Sequence, residues 1–149
     1  YLPEAQVRAV ELADAALAYT TANARGSGVE VIQADATDAT TLAEWNGTVD
    51  LIVTNPPYVP ETPNLDPEVY HDPHDAVFAG EDGMGVITGL IPTFARLLRP
   101  DGKVAIEHDD STSEAVQAAM ARHGGFERIS ALQDMTGTPR FVTAVRAVD

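Results

Sequence analysis

Asp50-Leu51-Ile52-Val53-Thr54-Asn55-Pro56-Pro57-Tyr58 is the stretch on which the reading of this sequence turns. Its first five residues form a compact apolar run of the kind found in the centre of a parallel sheet. The run stops at Asn55. Two consecutive prolines then supply no N–H donors and hold the backbone extended. The carbonyls of Asn55 and Pro56 are left without local partners, and with the Asn55 side-chain oxygen they make a rigid row of acceptors. A planar NH2 group can donate both protons into that row while the Tyr58 ring stacks on its face. The same residues also fit a plain strand-ending turn, since Asn and Pro dominate turns.

Outward from this strand, Val7–Leu12 and Val29–Gln33 are β-branched runs that read as two earlier strands. Between them, Asp14–Arg25 places Ala15, Leu17, Ala18 and Ala22 near one helical stripe, with Asp14 as N-cap and Gly26 just past the end. Thr40–Trp45 is a short helical turn leading to Gly47. Downstream, Asn55–Asp82 is rich in proline and acidic residues, and a loop that long inside a domain is usually functional. Gly83–Arg99 is apolar enough for a helix that Pro92 should bend or split. Pro100-Asp101-Gly102 makes a turn, and Lys103–Glu107 is a fourth strand. Ser111-Thr112-Ser113-Glu114 has capping-box spacing and opens a helix to about His123. Phe126–Leu132 and Phe141–Val148 are closing strands joined through Gly137-Thr138-Pro139. Helices between strands, then an adjacent final pair, predict an α/β open parallel sheet covered by helices, with the last pair antiparallel. Ligands of such sheets sit at the carboxyl ends of the strands, where Glu11, Asp35 and Asn55 fall.

The chain of 149 residues is 44% hydrophobic, the size of one domain or most of one with a real core. Its 9 basic and 23 acidic residues give a net charge of −14, which disfavours a broad nucleic-acid or anionic-membrane surface. A small pocket acting on a flipped base remains compatible. The absence of cysteine removes disulfides, Cys-ligated zinc and a thiol nucleophile, and is compatible with a reducing compartment. The longest apolar candidate, Gly85–Leu98, carries Thr88, Pro92, Thr93 and Arg96 and falls short of the roughly 18 residues of a membrane span. Tyr1-Leu2-Pro3-Glu4 has neither the basic start nor the apolar core of a signal peptide, and the lack of an initiator Met suggests a piece of something longer. His71, Asp72, His74 and Asp75 cluster like metal ligands, but alternating His and Asp in a proline-broken loop is more often a solvated surface. Glu107-His108-Asp109-Asp110 reads as a strand end with a solvated acidic turn, Glu107 lining a pocket floor. Arg140 reads as a strand residue pairing with an acidic neighbour, and Met84, Met120 and Met135 as core.

The tetrad Asn55-Pro56-Pro57-Tyr58 at the end of its strand resembles the signature of amino-group methyltransferases that use S-adenosylmethionine. Both DNA adenine-N6 enzymes and glutamine-N5 methyltransferases of peptide chain release factors share tetrads of this type. Three further stretches resemble the release-factor family: His71 to Gly83 (HDPHDAVFAGEDG), Leu98 to Gly102 (LRPDG) followed by Glu107-His108, and Asp134 to Val142 (DMTGTPRFV). The likeness runs through nearly all of the chain. Asp72 stands where the family commonly has Glu, and Asp109 where it commonly has Gly.

This resemblance implies a class I methyltransferase fold, Rossmann-like, with residues 1–149 forming part of one catalytic domain. It implies S-adenosylmethionine as cofactor, S-adenosylhomocysteine as product, a release factor as protein substrate, and a cytoplasmic location. Direct nucleic-acid binding, membrane association and a metal ion are not expected. Asn55, Pro56, Pro57 and Tyr58 are the implied catalytic residues. Glu11 would accept from the ribose hydroxyls, Asp35 with the Ala36 amide would meet the adenine, and Asn55 would contact the cofactor as well as the substrate; Asp35 also fits a helix N-cap. The family's first strand and Gly-rich loop are not found before Val7, and Tyr1–Ala5 corresponds to the end of the helix after that loop. Because that strand sits mid-sheet in the family, the strands of Val7–Leu12 and Asp50–Thr54 are expected to flank a strand-wide space of roughly 9 to 10 Å rather than pair directly. The competing functions are an adenine-N6 methyltransferase for DNA or RNA and a non-catalytic binding module.

Overall fold

The computed structural model describes residues 4–58 and 83–148. They belong to two compact units, residues 1–41 and 42–149. In the first unit β1 (Val7–Glu11) and β2 (Val29–Gln33) pair in parallel from Val7↔Val29 to Glu11↔Gln33, with α1 (Asp14–Ala24) as the crossover that parallel strands require. The half-buried positions of α1 include Ala16, Leu17, Thr20 and Ala24, whereas Ala15, Ala18 and Ala22 of the expected stripe are exposed. In a helix this rich in alanine the small side chains scarcely mark a face. Asp14 is the first helical residue rather than the N-cap; Ala13 holds that place without a side-chain bond, and the Asp14 carboxylate instead accepts from the Gln33 amide. Gly26 takes up the left-handed conformation just past the helix, as expected.

The second unit contains a 3-10 turn (Ala43–Trp45), shorter than the Thr40–Trp45 segment expected, and then β3 (Val49–Thr54), α2 (Gly85–Leu97), β4 (Leu98–Glu107), α3 (Ser113–His123), β5 (Phe126–Gln133) and β6 (Pro139–Arg146). Its sheet has the order β3-β4-β6-β5, with β3 parallel to β4 and the last two strands antiparallel. The closing antiparallel pair is thus as the sequence predicts. β1 pairs with β2 in the first unit and β3 with β4 in the second.

Pro92 does not split α2. It lies on the exposed side, and so does Thr88, whose carbonyl the proline cannot pair; water can serve that group there. The turn expected at Pro100-Asp101-Gly102 is a bulge within β4 instead. Val49 opposes Leu98, but Leu51 already opposes Lys103, so β4 carries extra residues against β3. Asp101 enters the left-handed region there at φ 63°. The capping box at Ser111 does not form: α3 begins at Ser113 with Thr112 as an N-cap lacking a side-chain bond, because Asp109 captures the Ser111 amide and hydroxyl.

Gly102 is the pinch point of the bulge. A Cβ there would lie 2.8 Å from the Arg99 carbonyl oxygen and 2.9 Å from that of Val49, both backbone atoms that cannot swing aside. Gly102→Ala is expected to cost about 1–3 kcal/mol of stability, as overpacking does, read as a lowered thermal midpoint. An unchanged midpoint would show that the bulge yields freely.

One face of the four-stranded sheet carries the core. Val104, Ile106, Val142 and Ala144 lie under Ile87, Leu90, Ile91 and Phe94 of α2 and Val116 and Met120 of α3, all buried. On the opposite face Leu51 and Val53 are 58% and 72% exposed. Met84 and Met120 are buried as expected, but Met135 is fully exposed on the turn after β5, where no sheet face reaches it. No helix among the described residues is long and apolar enough to cross a membrane.

Candidate functional site

In the first unit, Glu11 closes β1 and Asp35 follows β2, both at the carboxyl ends of their strands. The Glu11 carboxylate is folded toward α1: Oε1 accepts from the Ala13 amide at 2.9 Å and Oε2 from the Thr20 hydroxyl at 3.4 Å. A carboxylate has about four acceptor positions, so two bonds leave capacity for others. Asp35 Oδ1 accepts from the amide and hydroxyl of Thr37 at 2.8 and 2.7 Å, which fixes the turn that contains Ala36. The helix N-cap raised as the alternative for Asp35 does not form: the 3-10 turn starts at Ala43 behind Leu42, and Asp35 instead closes a tight side-chain turn on Thr37. Its other oxygen has no partner among the described residues.

In the second unit, Asn55 leaves β3 directly after the Thr54↔Ile106 pair. Asn55 is exposed, Pro56 is buried and Pro57 and Tyr58 are half-buried. The burial of Pro56 seats the tetrad on the protein. No described residue donates to the Asn55 side chain or to the Asn55 and Pro56 carbonyls. Alternation along β4 buries Val104, Ile106 and His108 and sends Glu107 to the other face, where its Oε1 accepts from the Tyr58 hydroxyl at 3.1 Å. Burial, then the charge and acceptance of Glu107, pushes the Tyr58 phenol above its ordinary pKa, with Arg140 opposing.

Acidic groups surround this end of the sheet. Asp109 is held below the usual carboxylate range: burial alone would raise it, but bonds from Ser111, help from Asp110 and the charge of Arg140 outweigh burial. Asp134 lies low as well, held first by the Thr136 hydroxyl, against burial, and then by the Thr136 and Thr138 amides and by Arg140. Arg140 Nε is 3.7 Å from Asp134 Oδ2, the acidic pairing expected for it. His108 departs from expectation, because it is buried rather than part of a solvated turn. Its Nδ1 lies 2.7 Å from the Asp109 carbonyl, and Nε2 has no partner among the described residues. The period-2 burial of Val104, Ile106 and His108 is the signal that sequence reading passed over.

His71, Asp72, His74 and Asp75 lie outside the described residues, and no group that could hold a metal occurs among those described. Two concavities of the described surface are lined by none of the candidate site residues, one lying against Val29 to Val31 beside Gly26 and the other over Leu51, Ala105 and Thr143.

The RMKL-like methyltransferase-domain family model matches residues 2–64. The release factor glutamine methyltransferase of Corynebacterium glutamicum is 57% identical over 116 residues, 78% of this chain and 42% of that protein. That of Mycolicibacterium smegmatis is 52% identical over 145 residues, 97% of this chain and 52% of its own length. By sequence, the chain is similar to release factor glutamine methyltransferases. It spans about half the length of these relatives. Among solved structures, a methyltransferase from Pyrococcus furiosus superposes with a TM-score of 0.67 at 18% identity, covering 96% of this chain and 64% of the other. The fold is the Rossmann-like class I methyltransferase fold, and Asn55-Pro56-Pro57-Tyr58 follows directly on β3.

Proposed function

We propose that the intact protein transfers a methyl group to the side-chain amide nitrogen of a glutamine in a peptide chain release factor, with residues 1–149 forming part of its catalytic domain. The observation that carries this reading is the exposed Asn55 amide beside a buried Pro56, with no described donor competing for their oxygens. S-adenosylmethionine would supply the methyl group, leaving S-adenosylhomocysteine. The residues present fit it: Glu11 keeps unused acceptor capacity for ribose hydroxyls, and Asp35 holds an unpartnered oxygen beside the Ala36 amide for an adenine.

An amide nitrogen is a weak nucleophile because its lone pair is delocalised into the carbonyl. Asn55 Oδ1 and the Pro56 carbonyl would accept its two N–H bonds, polarise the nitrogen and aim it, with Tyr58 stacked on the amide plane. Pro57 supplies no donor and keeps the row straight. No strong base is needed, since the proton can leave after transfer. A carboxylate would meet repulsion in place of two bonds, so glutamine is favoured over glutamate. A release factor as substrate places the reaction in the cytoplasm.

The test is incubation of the intact protein with methyl-labelled S-adenosylmethionine and a glutamine peptide of a release factor, alongside its glutamate counterpart and a single-stranded adenine oligonucleotide. Label on the glutamine peptide alone supports the reading. Label on the oligonucleotide alone replaces it with adenine chemistry. Glu11→Ala should separate binding from chemistry: the Kd for S-adenosylmethionine rises about tenfold or more, as loss of bonds to a charged acceptor does. Calorimetry showing an unchanged Kd would reduce Glu11 to the anchor of Ala13 and Thr20.

A further inference from the structure

We propose that Glu107 is a positioning residue for the tetrad, its carboxylate gripping the Tyr58 hydroxyl so that the ring is held in the orientation the substrate amide must meet. The inference rests on the proposed methyl transfer and concerns a side chain outside the tetrad. Tyr58 lies beyond β3, in a segment with no backbone ladder, and its hydroxyl bond to Glu107 spans 49 positions of sequence. Among the described residues this is the hydrogen bond that ties the tetrad to the sheet. A tyrosine held only at its Cβ can swing about two torsions, whereas a second anchor at the hydroxyl, which lies on the ring's long axis, fixes where that axis points and leaves only rotation about it.

The anchor is well founded. Glu107 ends β4, a strand paired on both sides: Ile106 opposes Thr54 of β3, and Glu107 opposes Phe141 of β6. The buried Ile106 and His108 on either side fix the backbone from which Glu107 projects. One residue beyond β3, the alternation brings Asn55 to the same face as Glu107, while Pro56 is buried on the other. Arg140, whose charge reaches both Tyr58 and Asp109, offsets the acidic surroundings. The upward shift of the phenol keeps Tyr58 protonated, and therefore a donor, at neutral pH. At 3.1 Å the bond is longer than a tight charged hydroxyl–carboxylate contact, which leaves room for it to shorten when the amide stacks.

The test compares Glu107→Ala, Glu107→Gln, Tyr58→Phe and the Glu107→Ala/Tyr58→Phe double variant in the intact protein. Glu107→Ala should lower kcat about 3- to 10-fold, the size of one hydrogen bond, with KM for S-adenosylmethionine unchanged. Glu107→Gln, whose amide oxygen still accepts, should restore activity to within about twofold. The double variant should be no slower than Tyr58→Phe, because both single changes remove the same bond. Ultraviolet difference titration against Tyr58→Phe reads the contact without any substrate: Glu107→Gln should bring the Tyr58 phenol down toward an ordinary tyrosine. Full activity in Glu107→Ala, or losses that multiply in the double variant, would overturn the inference. So would an unmoved phenol. Failure of the parent protein to methylate the glutamine peptide while the phenol moves as stated would instead overturn the proposed reaction and leave the contact standing without a positioning role.

Discussion

Asn55→Ala is expected to reduce methyl transfer by on the order of 100-fold or more while the Kd for S-adenosylmethionine stays nearly constant. The Asn55 side chain is exposed, and no described residue donates to it, so its removal costs the folded protein little. What disappears is one of two acceptors for the substrate NH2. That contact orients a nitrogen whose lone pair must be drawn out of amide resonance, so the loss falls on kcat rather than on cofactor affinity. Single-turnover kinetics with calorimetry on the same preparation checks both halves. Near wild-type turnover would remove Asn55 from the reaction and return the tetrad to a strand-ending turn.

Ile106→Ala should produce the largest loss of stability. Ile106 is fully buried at the middle of the sheet, opposing Thr54 on β3 and Val142 on β6, beneath the apolar side of α2 and α3. Truncating a side chain in such a position removes its transfer energy and leaves a cavity, for a combined cost of about 2–5 kcal/mol. Against a typical domain stability of about 5–15 kcal/mol, this is a large fraction. Urea unfolding should show a lower midpoint with an unchanged slope. Met135→Ala, at a fully exposed position, should stay within about 0.5 kcal/mol and serves as the control. Equal effects at the two positions would mean that Ile106 does not belong to the folding core.

Strand positions were the most legible part of the fold. Compact β-branched runs bounded by turn residues place β1, β2 and β3 within a residue of their observed limits, because side-chain burial on a sheet imposes a period the sequence must carry. Helix ends were less legible. At Asp14 and Ser111 the right residue type stands at the right spacing, yet the Asp14 carboxylate accepts from Gln33, 19 positions on, and the Ser111 hydroxyl donates to Asp109 two residues before it. A capping rule weighs neither competitor. The turn read at Pro100-Asp101-Gly102 is a bulge within a continuous β4, a difference that only the register against β3 reveals. In the candidate site, Asn55 to Tyr58 announce themselves through two prolines after an apolar strand. The grip of Glu107 on Tyr58 does not, because parallel pairing of β3 with β4 creates a proximity that no spacing encodes.

His108 gives this end of the sheet a natural spectroscopic reporter. A carbonyl oxygen can only accept, so the contact with the Asp109 carbonyl places a proton on Nδ1, while Nε2 has no partner among the described residues. In the neutral ring this is the less common tautomer in solution, and its two nitrogens resonate in the reverse of the usual order. In protein labelled with nitrogen-15, His108 should therefore be recognisable among the 4 histidines without assignment by mutagenesis. Any event that pulls on the neighbouring Glu107 or Asp109, including the seating of a substrate amide against Tyr58, would register as a change in that imidazole's shifts.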